Sequence, residues 1–389
     1  MTSHAERITS HPQGDDQILY FTGPSLDRAS RRLWFISDRD GHPNILLQDL
    51  ASGAVRPLTV NRSGRLWQYQ GFSGTPNRGL GVWSVALDPD RGLIYHLQDD
   101  EIRCADAEGG TRVLAKVPAG QTTAFIHVSD CGRWLCVPTT DERALLAPVA
   151  EGCAPGGMHA IDRRCQDEGL NSFLRVYDTT SGKLAACVAV PRCWITHVQF
   201  RPGRPEHILY NHEWPSAGGV RRMWLWDGAR HVCLRPAGPG LSPEDWACHE
   251  VWSASGDAVI YHGGLKDGPA MVGRLVLADG RRREISLPAG WKRYGHFQVA
   301  PGRDDLLVCD GYYEQPDDEP GNGRWISLVR VDWDTGQLDW TPLDRHRSNW
   351  RSQDDHPHPV FAPDGRTIYF TGGTPDGRRA VFRCPVPAS

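Results

Sequence analysis

The sequence predicts an all-β protein and, more specifically, a seven-bladed β-propeller. Short runs of β-branched and aromatic residues are separated by Gly, Asp, Asn and Ser, a pattern typical of strands joined by tight turns. Helical periodicity is nearly absent. A turn of the SPDG type recurs seven times along the 389 residues, which gives a repeat of about 55 residues. Together these observations favour seven copies of one four-stranded unit.

Each repeat reads as an apolar strand, the turn, a second strand ending in FTG or YHG, and a hairpin of two more strands. The seven turns are SLDRAS (25–30), DPDRG (88–92), SDCG (129–132), RPGR (201–204), SASG (253–256), APGR (300–303) and APDG (362–365). The units resemble the blades of TolB and WD40-like propellers. Two packed β-sandwiches are the alternative, but sandwiches would not produce a sevenfold register.

Residues 1–389 are therefore expected to form a single domain, in which the first 15 or so residues are either a flexible tail or a strand that closes a blade. Two longer segments, 141–171 and 313–324, interrupt the repeat and are rich in Gly, Pro, Asp or Glu. We expect both to be loops over one face, where functional residues concentrate.

The amino-acid composition excludes some classes of binding partner and indicates a cellular location. A formal charge of −4 gives no electrostatic footprint for nucleic acid or for an acidic membrane surface. No apolar stretch is long enough to span a membrane, and the N-terminus lacks the apolar segment of a secretory signal. The eleven cysteines are scattered without CxxC spacing, which is typical of reduced thiols. The expected location is the cytoplasm, and the oligomeric state is not predicted.

One position of the repeat carries histidine in four successive copies. Reading that position through the seven copies gives Gly23, Ser84, Phe125, His197, His249, His296 and His358. A repeat stacked around an axis brings equivalent positions close together, so these imidazoles are expected to converge on one functional site. The alternative is that histidine merely suits a polar channel mouth and forms hydrogen bonds there.

The segment QDDHPHP carries the strongest local motif. In an extended strand His356 and His358, two residues apart, face the same side, and the prolines between and after them stiffen the segment. Gln353 lies three residues upstream of His356. With His296 added, the set has three nitrogens and one neutral oxygen, which suits Mn²⁺ or a similar divalent ion. A histidine pair on an exposed loop without metal is the alternative.

The same residues carry a family resemblance. QDDHPHPVFAPDG resembles the Q-x-x-H-P-H-P signature of the oligogalacturonate lyases, seven-bladed propeller enzymes that use Mn²⁺. The resemblance continues through YGHFQ (294–298), CHEVWSASGDAVIYHG (248–263) and YNHEWP (210–215), and more weakly through the first blades. It implies a lyase that cleaves short unsaturated oligogalacturonates, chiefly digalacturonate, to keto-deoxyuronate monomers in pectin breakdown. The implied partner is a small acidic oligosaccharide.

The resemblance also implies roles for individual residues. The metal ligands would be His296, Gln353, His356 and His358; the catalytic base would be His249; and Arg222 would engage the substrate carboxylate. These residue types suit the chemistry, because a neutral histidine is a good base near neutral pH and an arginine fork matches a carboxylate. A divalent ion stabilises charge that develops on the carboxylate.

Several assignments stay open. Arg221 is an alternative to Arg222, and we prefer Arg222 because it directly precedes the MWLW strand; within a strand the two would point to opposite sides. His197 is either a substrate contact or a structural hydrogen-bonding group. His212, with Glu213 beside it, either binds sugar hydroxyls or supports the base. The segment between His212 and Arg222 departs from the family pattern, so another uronate oligosaccharide is an alternative substrate.

Two other classes of protein compete with the lyase. A non-catalytic TolB-like propeller that binds proteins would have no metal. The propeller part of a prolyl-oligopeptidase-like hydrolase would need a catalytic domain, which is not expected in a chain whose last repeat ends close to Ser389.

Overall fold

The fold was obtained as a computed structural model. It describes residues 5–64, 66, 79–145, 155–213, 221–236, 245–265, 268–288, 291–293, 295–313, 324–348 and 356–387, with the backbone alone for 155–160, 291–293 and 312–313. Its contacts divide the chain into two compact units. Unit 1 consists of Met1–Thr22 and Ala237–Ser389, and unit 2 consists of Gly23–Pro236.

Unit 1 begins at the N-terminus with two short strands, β1 (Glu6–Arg7) and β2 (Asp16–Ile18). β1 pairs antiparallel with the last strand of the chain, placing Glu6 opposite Arg383. The backbone N–H of Ile18, at the end of β2, donates to the hydroxyl of Thr371 at 3.0 Å. Strands β1 and β2 are thus bound to residues in the C-terminal part of unit 1.

Unit 2 contains four sheets, in which successive strands of the chain pair antiparallel. The strands of the first two sheets are β3 (Arg32–Ser37), β4 (Asn44–Asp49), β5 (Val55–Pro57), then β6 (Leu80–Asp88), β7 (Leu93–Gln98), β8 (Glu101–Ala105) and β9 (Thr111–Lys116). Those of the other two are β10 (Gln121–Thr123), β11 (His127–Val128), β12 (Trp134–Asp141), β13 (Ser172–Asp178), β14 (Leu184–Val190), then β15 (Val198–Arg201), β16 (Arg204–Asn211), β17 (Met223–Trp226) and β18 (His231–Cys233).

The C-terminal part of unit 1 contributes three four-stranded sheets, the last of which takes β1 as its outermost strand. A two-stranded sheet pairs β23 with β26. The strands are β19 (Trp246–Trp252), β20 (Ala258–Gly264), β21 (Ala270–Val276), β22 (Arg282–Ser286), β23 (Trp291–Arg293), β24 (Phe297–Ala300), β25 (Arg303–Cys309), β26 (Tyr312–Tyr313), β27 (Trp325–Asp332), β28 (Gln337–Arg345), β29 (Val360–Phe361), β30 (Thr367–Gly373) and β31 (Arg379–Pro385).

The core lies between consecutive sheets within each unit. In unit 2, Leu174 and Cys136 of one sheet pack with Val198, Phe200 and Ile208 of the next. Unit 1 repeats this arrangement between the sheet of β24–β28 and the last sheet. Because strands in this setting are covered on both faces, they read as continuous apolar runs such as RLWFIS rather than as strict alternation.

The four sheets of unit 2 and the three four-stranded sheets of unit 1 are the seven blades that the repeat predicts, so the predicted fold class, an all-β seven-bladed β-propeller, is confirmed. The expectation for 141–171 was wrong in part. This segment contains a 3₁₀ helix (Glu142–Ala144) and an α-helix, α1 (Pro155–Glu168), rather than a simple loop. Ile161 and Cys165 of α1 pack with Leu145 and Trp194, and this burial stabilises a helix that the local sequence favours only weakly. Segment 314–323 lies outside the described residues.

No helix in the described part of the chain is long and apolar enough to cross a membrane. The ten cysteines whose side chains are described are all free thiols, as the sequence predicts.

Candidate active site and metal centre

Three of the four predicted metal ligands come together in unit 1. The ligand atoms of His296, His356 and His358 lie within 4.8 Å of one another. The imidazole centroids are 4.3 Å apart for His296 and His358 and 5.2 Å apart for His296 and His356. His296 and His358 are buried, whereas His356 is partly exposed. The fourth predicted ligand, Gln353, lies outside the described residues.

The backbone conformation at His356 and His358 differs from the extended strand that the sequence predicts. His356 and His358 precede β29, which begins only at Val360, so they do not lie in an extended strand. His358 has a φ of +47°, in the left-handed region that residues other than glycine rarely adopt. The two imidazoles meet because of this local conformation and not because of strand alternation. Strained backbone of this kind is often found at functional sites.

A buried carboxylate supports the cluster. Asp310 accepts the backbone N–H of His296 at 2.6 Å and lies 3.0 Å from the Nδ1 atom of the same residue. Burial alone would raise the pKa of Asp310, but His296 beside it and these hydrogen bonds hold that pKa below its ordinary value. An anionic partner can only accept at Nδ1. The Nε2 atom of His296 therefore carries the lone pair that a metal ligand needs.

The donor set fits a divalent ion. Three imidazoles are grouped in a mostly buried position, one of them oriented by a carboxylate, which is the arrangement typical of histidine-ligated metals. His296, His356 and His358 are the described residues that would hold the ion.

His249, the predicted base, also lies in this part of unit 1. Its ring centroid is 4.2 Å from that of His296. His249 sits in β19 where the pairing with β20 shifts register between Cys248 and Val251, and its φ is +51°. The bulge turns the imidazole toward β20, where His249 Nδ1 lies 2.7 Å from the Nε2 atom of His262. Cys248, His249 and His262 form a second group with metal-ligand spacing.

Aromatic side chains from the N-terminal segment cover these histidines. The ring of Phe21 lies 4.9 Å from His296 and 5.6 Å from His249, and the ring of Tyr20 lies 4.8 Å from His358. The Phe21 carbonyl accepts a hydrogen bond from the side chain of Gln298 at 2.8 Å, which fixes the segment beside the cluster. These rings exclude water from the imidazoles and lower the local dielectric.

A second position of the repeat also carries polar side chains, and sequence analysis did not single it out. Asn211, His262 and Asp310 stand 14, 13 and 14 residues after His197, His249 and His296, near the end of the second strand of each sheet. Each contacts the histidine of its own repeat. The nearly constant spacing is visible in the sequence and was the signal that could have identified them.

In unit 2, Arg222 and His197 lie together with Glu213. The Arg222 guanidinium donates to Glu213 at 3.0 Å and to the Nδ1 atom of His197 at 3.1 Å. Thr196 and Asn211 also donate to Glu213. Burial raises the pKa of Glu213, but the charge of Arg222 and the hydrogen bonds from His197 and Thr196 together outweigh it and hold the pKa well below its usual range. Glu213 is thus a buried anion, and the ring of His197 stacks on Phe125 at 4.5 Å.

The choice between the two arginines rests on contacts rather than on strand alternation. Strand β17 begins at Met223, so Arg221 and Arg222 lie just before it and the argument from opposite strand faces does not apply. The carbonyl of Arg221 accepts the indole N–H of Trp224 at 2.6 Å. The guanidinium of Arg222 forms an ion pair with Glu213 at 3.0 Å.

His212 and Asp162 are further ionisable groups of unit 2. Burial lowers the pKa of His212 to about 4, so this imidazole is neutral near pH 7, and its ring stacks on Trp224 at 4.9 Å. Burial, with the nearby charge of Glu213, raises the pKa of Asp162 on helix α1 to about 7. Sequence analysis did not single out Asp162.

Comparison with curated proteins identifies relatives for half of the chain. It is 28% identical over 210 residues to an oligogalacturonide lyase of Pectobacterium atrosepticum and 27% identical over 211 residues to an oligogalacturonate lyase of Dickeya dadantii. Each match covers 50% of this chain, and the chain spans only 51% of the length of either relative. No family model matches the chain. The resemblance predicted from the motifs is confirmed by these names.

Solved structures extend the likeness to nearly the whole fold. An oligogalacturonate lyase in complex with manganese superimposes with a TM-score of 0.77, at 22% identity, over 98% of this chain and 93% of that one. An oligogalacturonate lyase from Vibrio parahaemolyticus gives a TM-score of 0.76 at 18% identity with the same coverage. At such identities the likeness shows the fold alone.

Proposed function

We propose that this chain is a metal-dependent lyase that cleaves short oligogalacturonates, chiefly unsaturated digalacturonate, by β-elimination in pectin breakdown. The observation that carries the proposal is the grouping in unit 1 of three candidate ligands, His296, His356 and His358, with the imidazole of His249 at 4.2 Å from His296. The names of the curated relatives supply the substrate class.

The reaction requires a base beside a uronate carboxylate. His249 accepts the proton from C5 of the sugar, the electrons of that C–H bond form the C4–C5 double bond, and the C4–O bond breaks. The leaving oxygen then takes up a proton. A neutral imidazole has a suitable proton affinity for this step near neutral pH. The products are an unsaturated uronate, which rearranges to its keto-deoxy form, and the saccharide released with the C4 oxygen.

We assign the metal ion and an arginine to the substrate carboxylate. His296, His356 and His358, with Gln353 as the proposed fourth ligand, would hold Mn²⁺ or another divalent ion, which would supply positive charge that favours loss of the neighbouring proton. Arg222 is assigned to the substrate carboxylate because a guanidinium can bind it through two parallel hydrogen bonds. The buried anion of Glu213 would hold Arg222 in place.

The remaining candidates are assigned to substrate binding. We place His197, His212 and Arg221 in contact with sugar hydroxyls or carboxylates, and the partner is a small acidic oligosaccharide. The cytoplasm is the proposed location. Another uronate oligosaccharide remains the alternative substrate.

The test is turnover of digalacturonate by the metal-loaded protein, followed by absorbance of the unsaturated product. His249→Ala is expected to lower kcat by about 10²- to 10⁴-fold, the usual contribution of a general base. His207→Ala, which replaces a histidine of β16 outside both clusters, is the matched control and should retain activity. Unchanged turnover after complete metal removal would contradict the metal's role. No turnover on any uronate oligomer would favour the protein-binding propeller.

A further inference from the structure

The imidazole of His249 is joined to that of His262. Their Nδ1 and Nε2 atoms are 2.7 Å apart, a hydrogen-bond distance, and the centroids of the two rings are 4.9 Å apart. Two nitrogens bound to one tetrahedral metal at about 2.0 Å would be roughly 3.3 Å apart. The shorter separation indicates a shared proton between the rings rather than a shared ion.

A backbone carbonyl decides which ring donates. The oxygen of Gly295 lies 3.3 Å from the same Nδ1 atom of His249. A carbonyl oxygen only accepts, so a hydrogen on His249 Nδ1 satisfies both neighbours, whereas a lone pair there would face the carbonyl's own lone pairs. His249 is therefore the donor, and the Nε2 atom of His262 is the acceptor.

The buried position of His262 stabilises this direction of the hydrogen bond. The residue is 1% exposed in β20, with the ring of Trp246 at 5.7 Å and that of Phe297 at 5.5 Å. Packing of this kind fixes the imidazole plane. His249 itself lies in a bulge with a φ of +51°, so its own backbone does not hold it in a common conformation.

We infer that His262 is a positioning residue that keeps His249 in the tautomer a base requires, with hydrogen on Nδ1 and the lone pair on Nε2. A histidine in the opposite tautomer presents N–H to the substrate and cannot accept its proton at that nitrogen. This inference rests on the proposed lyase activity for its consequence, but the tautomer itself is a property of the resting protein.

Two variants of His262 separate positioning from packing. His262→Phe keeps an aromatic ring but removes the acceptor, and we expect kcat to fall about 10- to 100-fold with KM little changed. This loss is smaller than the roughly 10⁴-fold loss that a triad base suffers in the wrong tautomer, because the Gly295 carbonyl still favours the correct one. His262→Gln offers an amide oxygen that accepts from Nδ1–H and should recover much of kcat.

The matched control is His96→Phe, which makes the same change at a histidine of β7 that is also 1% exposed. It should leave kcat unchanged. If His262→Phe and His262→Gln lose activity equally, or if neither does, His262 does not position the base.

A spectroscopic measurement keeps the inference testable whether or not turnover is found. Long-range ¹H–¹⁵N correlation spectra of protein labelled at histidine nitrogens report the tautomer of each ring, and the His249 signals are identified by their loss in His249→Ala. We expect the Nδ1–H form in the wild type and a mixture of forms in His262→Phe. An Nε2–H form in the wild type would overturn the inference. Absence of turnover with the expected spectrum would reject the proposed function alone.

Discussion

Asp310 accepts a hydrogen bond from the backbone N–H of His358 at 3.0 Å, although the two residues are 48 positions apart in the chain. The same carboxylate accepts the backbone N–H of His296 at 2.6 Å. One buried anion therefore positions two candidate metal ligands from adjacent repeats. The hydrogen bond to His358 also offsets part of the cost of the left-handed backbone at that residue.

Asp310→Asn should weaken manganese binding by about 10- to 100-fold, the usual effect of removing a carboxylate behind a metal-bound histidine. An amide can donate to Nδ1 of His296 and so permit the wrong tautomer. Titration calorimetry on metal-free protein measures the affinity directly. Asp88→Asn, at a carboxylate of β6 that is 2% exposed, is the control and should bind normally. Equal affinity in both variants would show that Asp310 does not orient the ligand.

The blades could be predicted from the sequence because a turn repeated seven times reports a repeated unit. The candidate ligands could be predicted because His296 and His358 occupy one position of that unit. Asp310 and His262 were missed although their spacing after His296 and His249 is visible in the sequence, because only the folded hairpin shows that they contact these histidines. The left-handed φ of His358 was missed because nothing in the local sequence indicates a positive φ at a residue other than glycine.

Helix α1 could not be predicted from the sequence for a different reason. Its segment contains glycine and several charged residues, and its helical state depends on burial of Ile161 and Cys165 against Trp194. Periodicity within the segment cannot report a packing partner that lies elsewhere in the chain.

Metal binding should raise thermal stability. An ion at 100 times its Kd contributes about 2.7 kcal/mol to the free energy of unfolding, provided that it does not bind the unfolded chain. Differential scanning fluorimetry with and without Mn²⁺ is expected to show a higher Tm with the ion. His356→Ala should abolish that shift while changing the metal-free Tm little, since His356 is the partly exposed member of the cluster. A normal shift in this variant would remove His356 from the ligand set.

The two adjacent arginines are distinguished by kinetics. Arg222→Lys loses the planar fork and should lower kcat/KM by about 10- to 100-fold, corresponding to the 1.5–3 kcal/mol of a hydrogen bond to a charged group. Arg221→Lys keeps its backbone contact to Trp224 and should have a small effect. Steady-state kinetics on digalacturonate, with Tm measured in parallel, make the comparison. The reverse order of effects would assign the carboxylate to Arg221.

We expect titration of Asp162 to contribute to the pH dependence of the free energy of unfolding. This carboxyl is 3% exposed, and burial together with the charge of Glu213 raises its pKa from 3.8 to about 7. Between these two values the folded protein binds more protons at this group than the unfolded chain does, so the free energy of unfolding falls as pH rises. Its contribution is complete below about pH 4 and is lost once pH exceeds about 7.

Asp162→Asn removes that titration while keeping the size of the side chain. Relative to wild type, the variant should gain about 2 to 4 kcal/mol between pH 4 and pH 8, at 1.36 kcal/mol for each unit of pKa. Urea unfolding at four pH values in this range measures the difference, in which the other titrating groups largely cancel. Asp364→Asn, at an exposed aspartate, should show no such trend. Parallel curves for Asp162→Asn and wild type would mean that Asp162 ionises in the folded protein as it does in the unfolded chain.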